Sequence, residues 1–149
     1  MKTLNQWMEI YAESHQNPIN VKIHTFAVPV IFVVSVGLLW LIPNPEFMGG
    51  QRVRIFHLIL GLALNFYLKL GKKIFNTMLV FFLLSILVNY LGYWIFFNHY
   101  VWVLVSVFIL AWIAQFHGHN VEGKKPSFLT DLQFFLIGPI WYLKKLGFI

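Results

Sequence analysis

Four apolar runs, each 16 residues or longer and none holding an acidic side chain, constrain this chain more than any other feature. They cover residues 26–42, 55–70, 74–97 and 100–116, and Lys69 is the one formally charged side chain within them. Crossing about 30 Å of hydrocarbon takes about 20 helical residues, with about 17 near the lower limit. The run 74–97 is long enough alone; the others need flanking residues or a thinner bilayer. Only helices and closed barrels satisfy the backbone in lipid, and continuous apolar runs lack the alternation of barrel strands. Composition agrees, because 11% charged residues is well below the roughly 25% of a soluble domain. The sequence predicts an all-α integral membrane helical bundle, a single domain over residues 1–149 with four transmembrane helices.

The breaks between the runs are Pro43-Asn44-Pro45 with Gly49-Gly50, then Gly71-Lys72-Lys73, then Asn98-His99. The last is so short that the third and fourth runs should form an antiparallel hairpin. Ahead of the first run, Leu4, Trp7, Met8 and Tyr11 fall on one helical stripe, and Thr3 and Gln6 have capping-box spacing. This predicts a short N-terminal helix lying in the membrane interface and stopped by Pro18. Residues 1–25 hold Glu9, Glu13 and five amide side chains, which is not the pattern of a cleavable signal. The stretch 128–143 carries Asp131, Gln133 and Gly138-Pro139. It reads as a C-terminal re-entrant helix or a fifth span, because such groups are costly at lipid depth.

Lysine and arginine set the orientation. Lys2, Lys22, Lys69, Lys72, Lys73, Lys124 and Lys125 share the face of the N-terminus, whereas Arg52 and Arg54 lie on the other, joined by Lys144 and Lys145 only if the tail crosses. The N-terminal face is therefore expected to be cytoplasmic, in a bacterial inner membrane or, in a eukaryote, the endoplasmic reticulum. The net charge of +6 is spread over these short loops, so no nucleic-acid surface is expected. The chain has no cysteine, which excludes disulfides, thiol nucleophiles and sulfur-bound metals, and it has neither a P-loop nor a dinucleotide-binding motif. Ser14 beside His15, and Ser127 near Asp131, do not define a triad.

The histidines divide by face. His15 and His24 precede the first span, and His117 and His119 follow the fourth, so four spans bring all four to one side. His57 and His99 fall on the opposite side and read as polar interfacial residues. The first group sits among Ser14, Gln16, Asn17, Asn20, Gln115, Asn120 and Glu122, groups able to orient imidazoles. His117 and His119 are two apart, so on one helix they point about 200° from each other. Both reach one metal only if the helix ends at Gly118; if it continues, His119 shares a face with Glu122. Imidazole and carboxylate ligands suit iron, zinc or manganese. The H-x-x-H-H clusters of membrane di-iron enzymes are missing, so one metal fits better than two.

Two stretches carry a resemblance. One is Tyr11-Ala-Glu-Ser-His15-Gln-Asn-Pro-Ile-Asn20-Val-Lys-Ile-His24, followed by a run with Pro29. The other is Trp112-Ile-Ala-Gln115-Phe-His-Gly118-His119, then Glu122-Gly-Lys-Lys-Pro126-Ser and Asp131-Leu-Gln. Together they resemble, over nearly the whole chain, the 2-hydroxy fatty acid dioxygenases of fatty-acid α-oxidation, small membrane proteins long labelled a domain of unknown function. The His119-to-Glu122 spacing looks like that of a bacterial-type branch. The resemblance implies an Fe(II)-dependent enzyme that uses O₂ to shorten a 2-hydroxy fatty acid by one carbon. It implies His15, His24 and His119 as iron ligands and His117 as a fourth candidate, at a position where many relatives have an apolar residue. Glu122 and Asn20 are the candidate catalytic groups, and Lys22, Lys124 and Lys125 are placed to attract the substrate carboxylate. Two other classes compete: a non-enzymatic membrane protein whose histidines hold a structural metal or line a polar cap, and a zinc-dependent lipid hydrolase.

Overall fold

The computed structural model describes residues 2–43, 54–123 and 128–149. Its elements are α1 (Leu4–Glu13), α2 (Pro18–Leu41), α3 (Ile55–Leu70), α4 (Lys72–Phe96), a 3₁₀ turn (Phe97–His99), α5 (Tyr100–Glu122) and α6 (Phe128–Lys145). No strand occurs among the described residues, and the fold is all-helical as the apolar runs require. Contacts group into two compact units, residues 1–32 with 106–149, and residues 33–105. The break around Pro43-Asn44-Pro45 and Gly49-Gly50 falls mostly outside the described residues, as do Arg52, Lys124 and Lys125.

Within residues 33–105, Gly71 joins α3 to α4 at a φ of 137°, a value that favours glycine. Tyr67 and Met78 are fully buried there, beside Phe82. The chain turns back at the short Asn98-His99 break. Tyr100 Oη donates to Asn89 Oδ1 at 2.6 Å, yet eleven residues of straight helix would rise about 16 Å. The reversal falls at Phe97, whose φ is 39°. Asn89 Nδ2 donates in turn to the carbonyls of Val33 and Ser85, so this amide is satisfied among apolar side chains. A Cβ on Gly37 would run into Asn89 Oδ1, which is why the smallest residue stands where α2 passes it.

Residues 1–32 and 106–149 hold α1, the start of α2, the end of α5 and α6. The predicted capping box is present: Gln6 N–H donates to Thr3 Oγ1 at 3.3 Å, and Thr3 N–H to Gln6 Oε1 at 2.8 Å. Two expectations change. The stripe that suggests an interfacial helix is spent on protein, with Trp7 and Tyr11 buried and the Tyr11 ring packed against Phe134 and Trp141 of α6. Pro18 does not stop α1, which ends at Glu13. It opens α2, where a missing N–H costs nothing, and Asn17 Oδ1 caps that helix by accepting from Ile19 N–H at 2.9 Å.

Two stretches, Pro18–Leu41 and Lys72–Glu122, are long and apolar enough to cross a membrane, while α3 is apolar but shorter. The most apolar window of Lys72–Glu122 is only 22% buried. Leu62, Ile95 and Trp102 are each more than 70% exposed, unlike the apolar residues of a helix enclosed in a soluble core.

Candidate metal centre

Three histidines from three elements converge within the unit formed by residues 1–32 and 106–149. His15 stands just past α1, His24 lies in the second turn of α2 and His119 near the end of α5. All three are buried, and one ring nitrogen of each lies within 4.8 Å of the others. His24 Nε2 and His119 Nε2 are 3.4 Å apart.

Backbone carbonyls fix two of the rings. His15 Nδ1 lies 2.6 Å from the Tyr11 carbonyl oxygen, and His24 Nδ1 lies 3.0 Å from that of Asn20. A carbonyl oxygen only accepts, so each Nδ1 carries the proton and each Nε2 presents a lone pair when the ring is neutral. The Tyr11 carbonyl is one of those left over at the end of α1, so His15 caps that helix with its own ring. Tyr11 also stacks on His15 at a centroid distance of 3.9 Å and 6° between planes. Burial drives the His15 pKa down to about 4, against the raising effect of its Tyr11 bond, so the ring is neutral at pH 7.

Glu122 fixes the backbone that carries two of these rings. Its oxygens accept from Gln16 N–H at 2.8 Å, and from Asn17 N–H and Asn20 Nδ2, both at 2.9 Å. Asn20 is fully buried, and its Nδ2 also donates to the Ser14 carbonyl. One carboxylate thus ties the end of α5 to the turn between α1 and α2. Gly118 permits the approach, since a Cβ there would collide with Asn20 Oδ1 and come within 3.1 Å of His24 Cε1.

The sequence candidates separate on this geometry. Helix α5 runs unbroken through Gly118 to Glu122, so His117 points away from His119 and is exposed; the structure leaves it outside the cluster. Lys22 is exposed two residues before the buried His24, on the opposite side of α2. His57 Nδ1 accepts from Arg54 N–H at the start of α3, and His99 is an exposed residue of the 3₁₀ turn. Sequence reasoning missed Tyr11 as a partner of the site, although its spacing four residues before His15 was the available signal.

A small cavity opens beside the histidines, about 40 Å³ in volume and lined by His15, His119, Tyr11, Gln115, Trp112 and Phe134, among others. His15 Nε2 is buried without a hydrogen-bond partner, a costly state for a lone pair unless something binds it. Metal–imidazole bonds of about 2.0–2.1 Å put two ligand nitrogens of one ion about 3–3.4 Å apart, in keeping with the His24–His119 spacing. These residues fit a metal ion.

The family described as 2-hydroxy-palmitic acid dioxygenase Mpo1-like matches residues 1–148. The chain belongs to this Mpo1-like family. The match takes in both stretches that carry the resemblance and all three clustered histidines. No curated protein and no solved structure matches the chain.

Proposed function

We propose that this Mpo1-like protein is an integral membrane, Fe(II)-dependent dioxygenase that cleaves 2-hydroxy fatty acids to acids one carbon shorter. The observation that carries the reading is the cluster of His15, His24 and His119 in a chain that matches this family from end to end. The three imidazoles would hold the ion, leaving coordination positions for substrate and O₂. When bound, iron supplies oxygen activation and a Lewis-acid contact for a carboxylate and its neighbouring hydroxyl.

The chain's own residues supply the rest. Tyr11 and the Tyr11 and Asn20 carbonyls orient His15 and His24, so the ligand nitrogens face inward before any ion arrives. Glu122 and Asn20 act by positioning, because their hydrogen bonds go to the turn at Ser14–Asn17 and to each other. The aromatic wall of the cavity keeps water from the reacting carbon. Four spans over the apolar runs 26–42, 55–70, 74–97 and 100–116 would hold the protein in the bilayer where its acyl substrates dissolve. The N-terminal face, which carries the histidines, is cytoplasmic. Lys124 and Lys125, beyond Glu122, are further candidates for attracting the carboxylate.

Product analysis by mass spectrometry tests the reading. Protein loaded anaerobically with Fe(II) is given 2-hydroxypalmitic acid and then O₂. A C15 acid that forms only with Fe(II), and not with H119A, is the expected result. Bound iron without a C15 acid would mean another substrate, and the absence of both would favour a structural role for the histidines.

A further inference from the structure

The cavity beside the histidines contains two polar atoms that the metal centre does not use. Trp112 Nε1 and Gln115 Oε1 are both buried without a hydrogen-bond partner, and both residues line the cavity with His15 and His119. Trp112, Gln115 and His119 stand at i, i+3 and i+7 of α5, which puts them on one face of the helix, with Gln115 one turn and Trp112 two turns from the ligand histidine. A buried donor and a buried acceptor left open are each unfavourable, and here they flank the place where a substrate head group would lie.

Given the proposed substrate class, on which this inference rests, the pair has a direct counterpart. A 2-hydroxy carboxylate offers a hydroxyl donor and carboxylate acceptors on adjacent carbons, whereas an unsubstituted fatty acid offers only the carboxylate. We propose that Gln115 and Trp112 read the head group of the substrate: Gln115 Oε1 accepts a hydrogen bond from the 2-hydroxyl, and Trp112 Nε1–H donates one to the carboxylate. Gln115 is then the specificity-determining residue, since palmitate would leave its oxygen buried and unpaired. Sites built to bond a substrate hydroxyl reject the analogue lacking it on this principle. The acyl chain is too large for about 40 Å³, so binding moves the surrounding aromatic side chains. Phe116, at 56% exposure, is the cavity residue best placed to move.

The test is a binding measurement, independent of turnover. Fe(II)-loaded protein in nanodiscs, kept free of O₂, is titrated with 2-hydroxypalmitate and with palmitate, and its melting temperature is recorded. Wild type should prefer the hydroxy acid at least tenfold. Q115L should reduce that ratio about tenfold, leave palmitate affinity unchanged and melt no lower than wild type, because it removes a buried unpaired oxygen. Q115M, closer in shape, should behave alike and serves if Q115L misfolds. W112F should weaken both acids equally and leave the ratio intact. A wild-type ratio retained in both Gln115 variants overturns the inference while leaving the dioxygenase reading in place. An equal loss for the two acids in those variants, with a lower melting temperature, also overturns it by making Gln115 structural. Failure of wild type to bind either acid overturns both.

Discussion

At the scale of single residues, the site depends on what each ring nitrogen is already bonded to. His15 and His24 were legible as ligand candidates because they flank one end of an apolar run, and His119 because it ends another. Their tautomers were not legible, since these rest on carbonyls four residues back whose availability depends on where helices end. His117 was a fourth candidate in the sequence; it lies outside the cluster because α5 continues through Gly118, which a glycine before a polar stretch does not reveal. Glu122 was a candidate catalytic group in the sequence, yet three donors occupy its carboxylate. E122Q, which replaces one acceptor oxygen with a donor, should cost about 1–2 kcal/mol, seen as a lower melting temperature in detergent. Added metal should recover part of that loss if the damage is confined to the turn that carries His15. H117A should leave both stability and metal content unchanged.

At the scale of elements, close packing brings three helices to one point. Gly118 sets how near α5 comes to α2, and its replacement must displace a buried amide already bonded to the Ser14 carbonyl and Glu122. G118A should therefore lower stability by about 1–3 kcal/mol and metal affinity at least tenfold, measured by thermal unfolding and by titration with Fe(II) or Zn(II). Helix α1 is held from the other side, through Tyr11 against Phe134 and Trp141. Y11A should cost about 3–5 kcal/mol by removing a buried ring and release His15, whereas Y11F keeps the stack and should stay near wild type in metal content. The helices themselves were legible, since four of the six follow predicted segments to within a few residues, while α2 begins eight residues early, at Pro18, and α5 runs six residues further, to Glu122. That early start, and the burial of Tyr11, came from partners remote in sequence: α6 packs Phe134 and Trp141 against Tyr11, and Glu122 binds the turn before Pro18.

At the scale of the whole molecule, burial divides the chain. The polar side chains that cluster, from Ser14 to Asn20 and from Gln115 to Glu122, occur beside the three histidines. The apolar surface of Lys72–Glu122 stays largely uncovered, as expected for helices whose solvent is the bilayer. The chain has no cysteine, so a single introduced thiol reports its own side of the membrane. N5C should be labelled by an impermeant maleimide only from the cytoplasmic side, and N98C only from the other. Labelling of both from one side would contradict the odd number of crossings between them. The all-helical class and the convergence of His15, His24 and His119 were thus legible from the hydrophobic pattern, while the open atoms of Gln115 and Trp112 were not, because an unpartnered atom has no signature in sequence.

The central claim, that His15, His24 and His119 hold one metal ion, is tested most directly by metal content. Protein purified anaerobically, reconstituted with Fe(II) and freed of excess, is analysed for iron per chain alongside H15A, H24A, H119A and H117A. The predicted result is about one iron per chain in wild type and H117A. Each of the other three variants should lose at least the tenfold to hundredfold in affinity typical of removing even an outer-shell partner, with helicity retained by circular dichroism. Iron retained at one per chain in H24A or H119A, or a folded wild type that binds none, would contradict it.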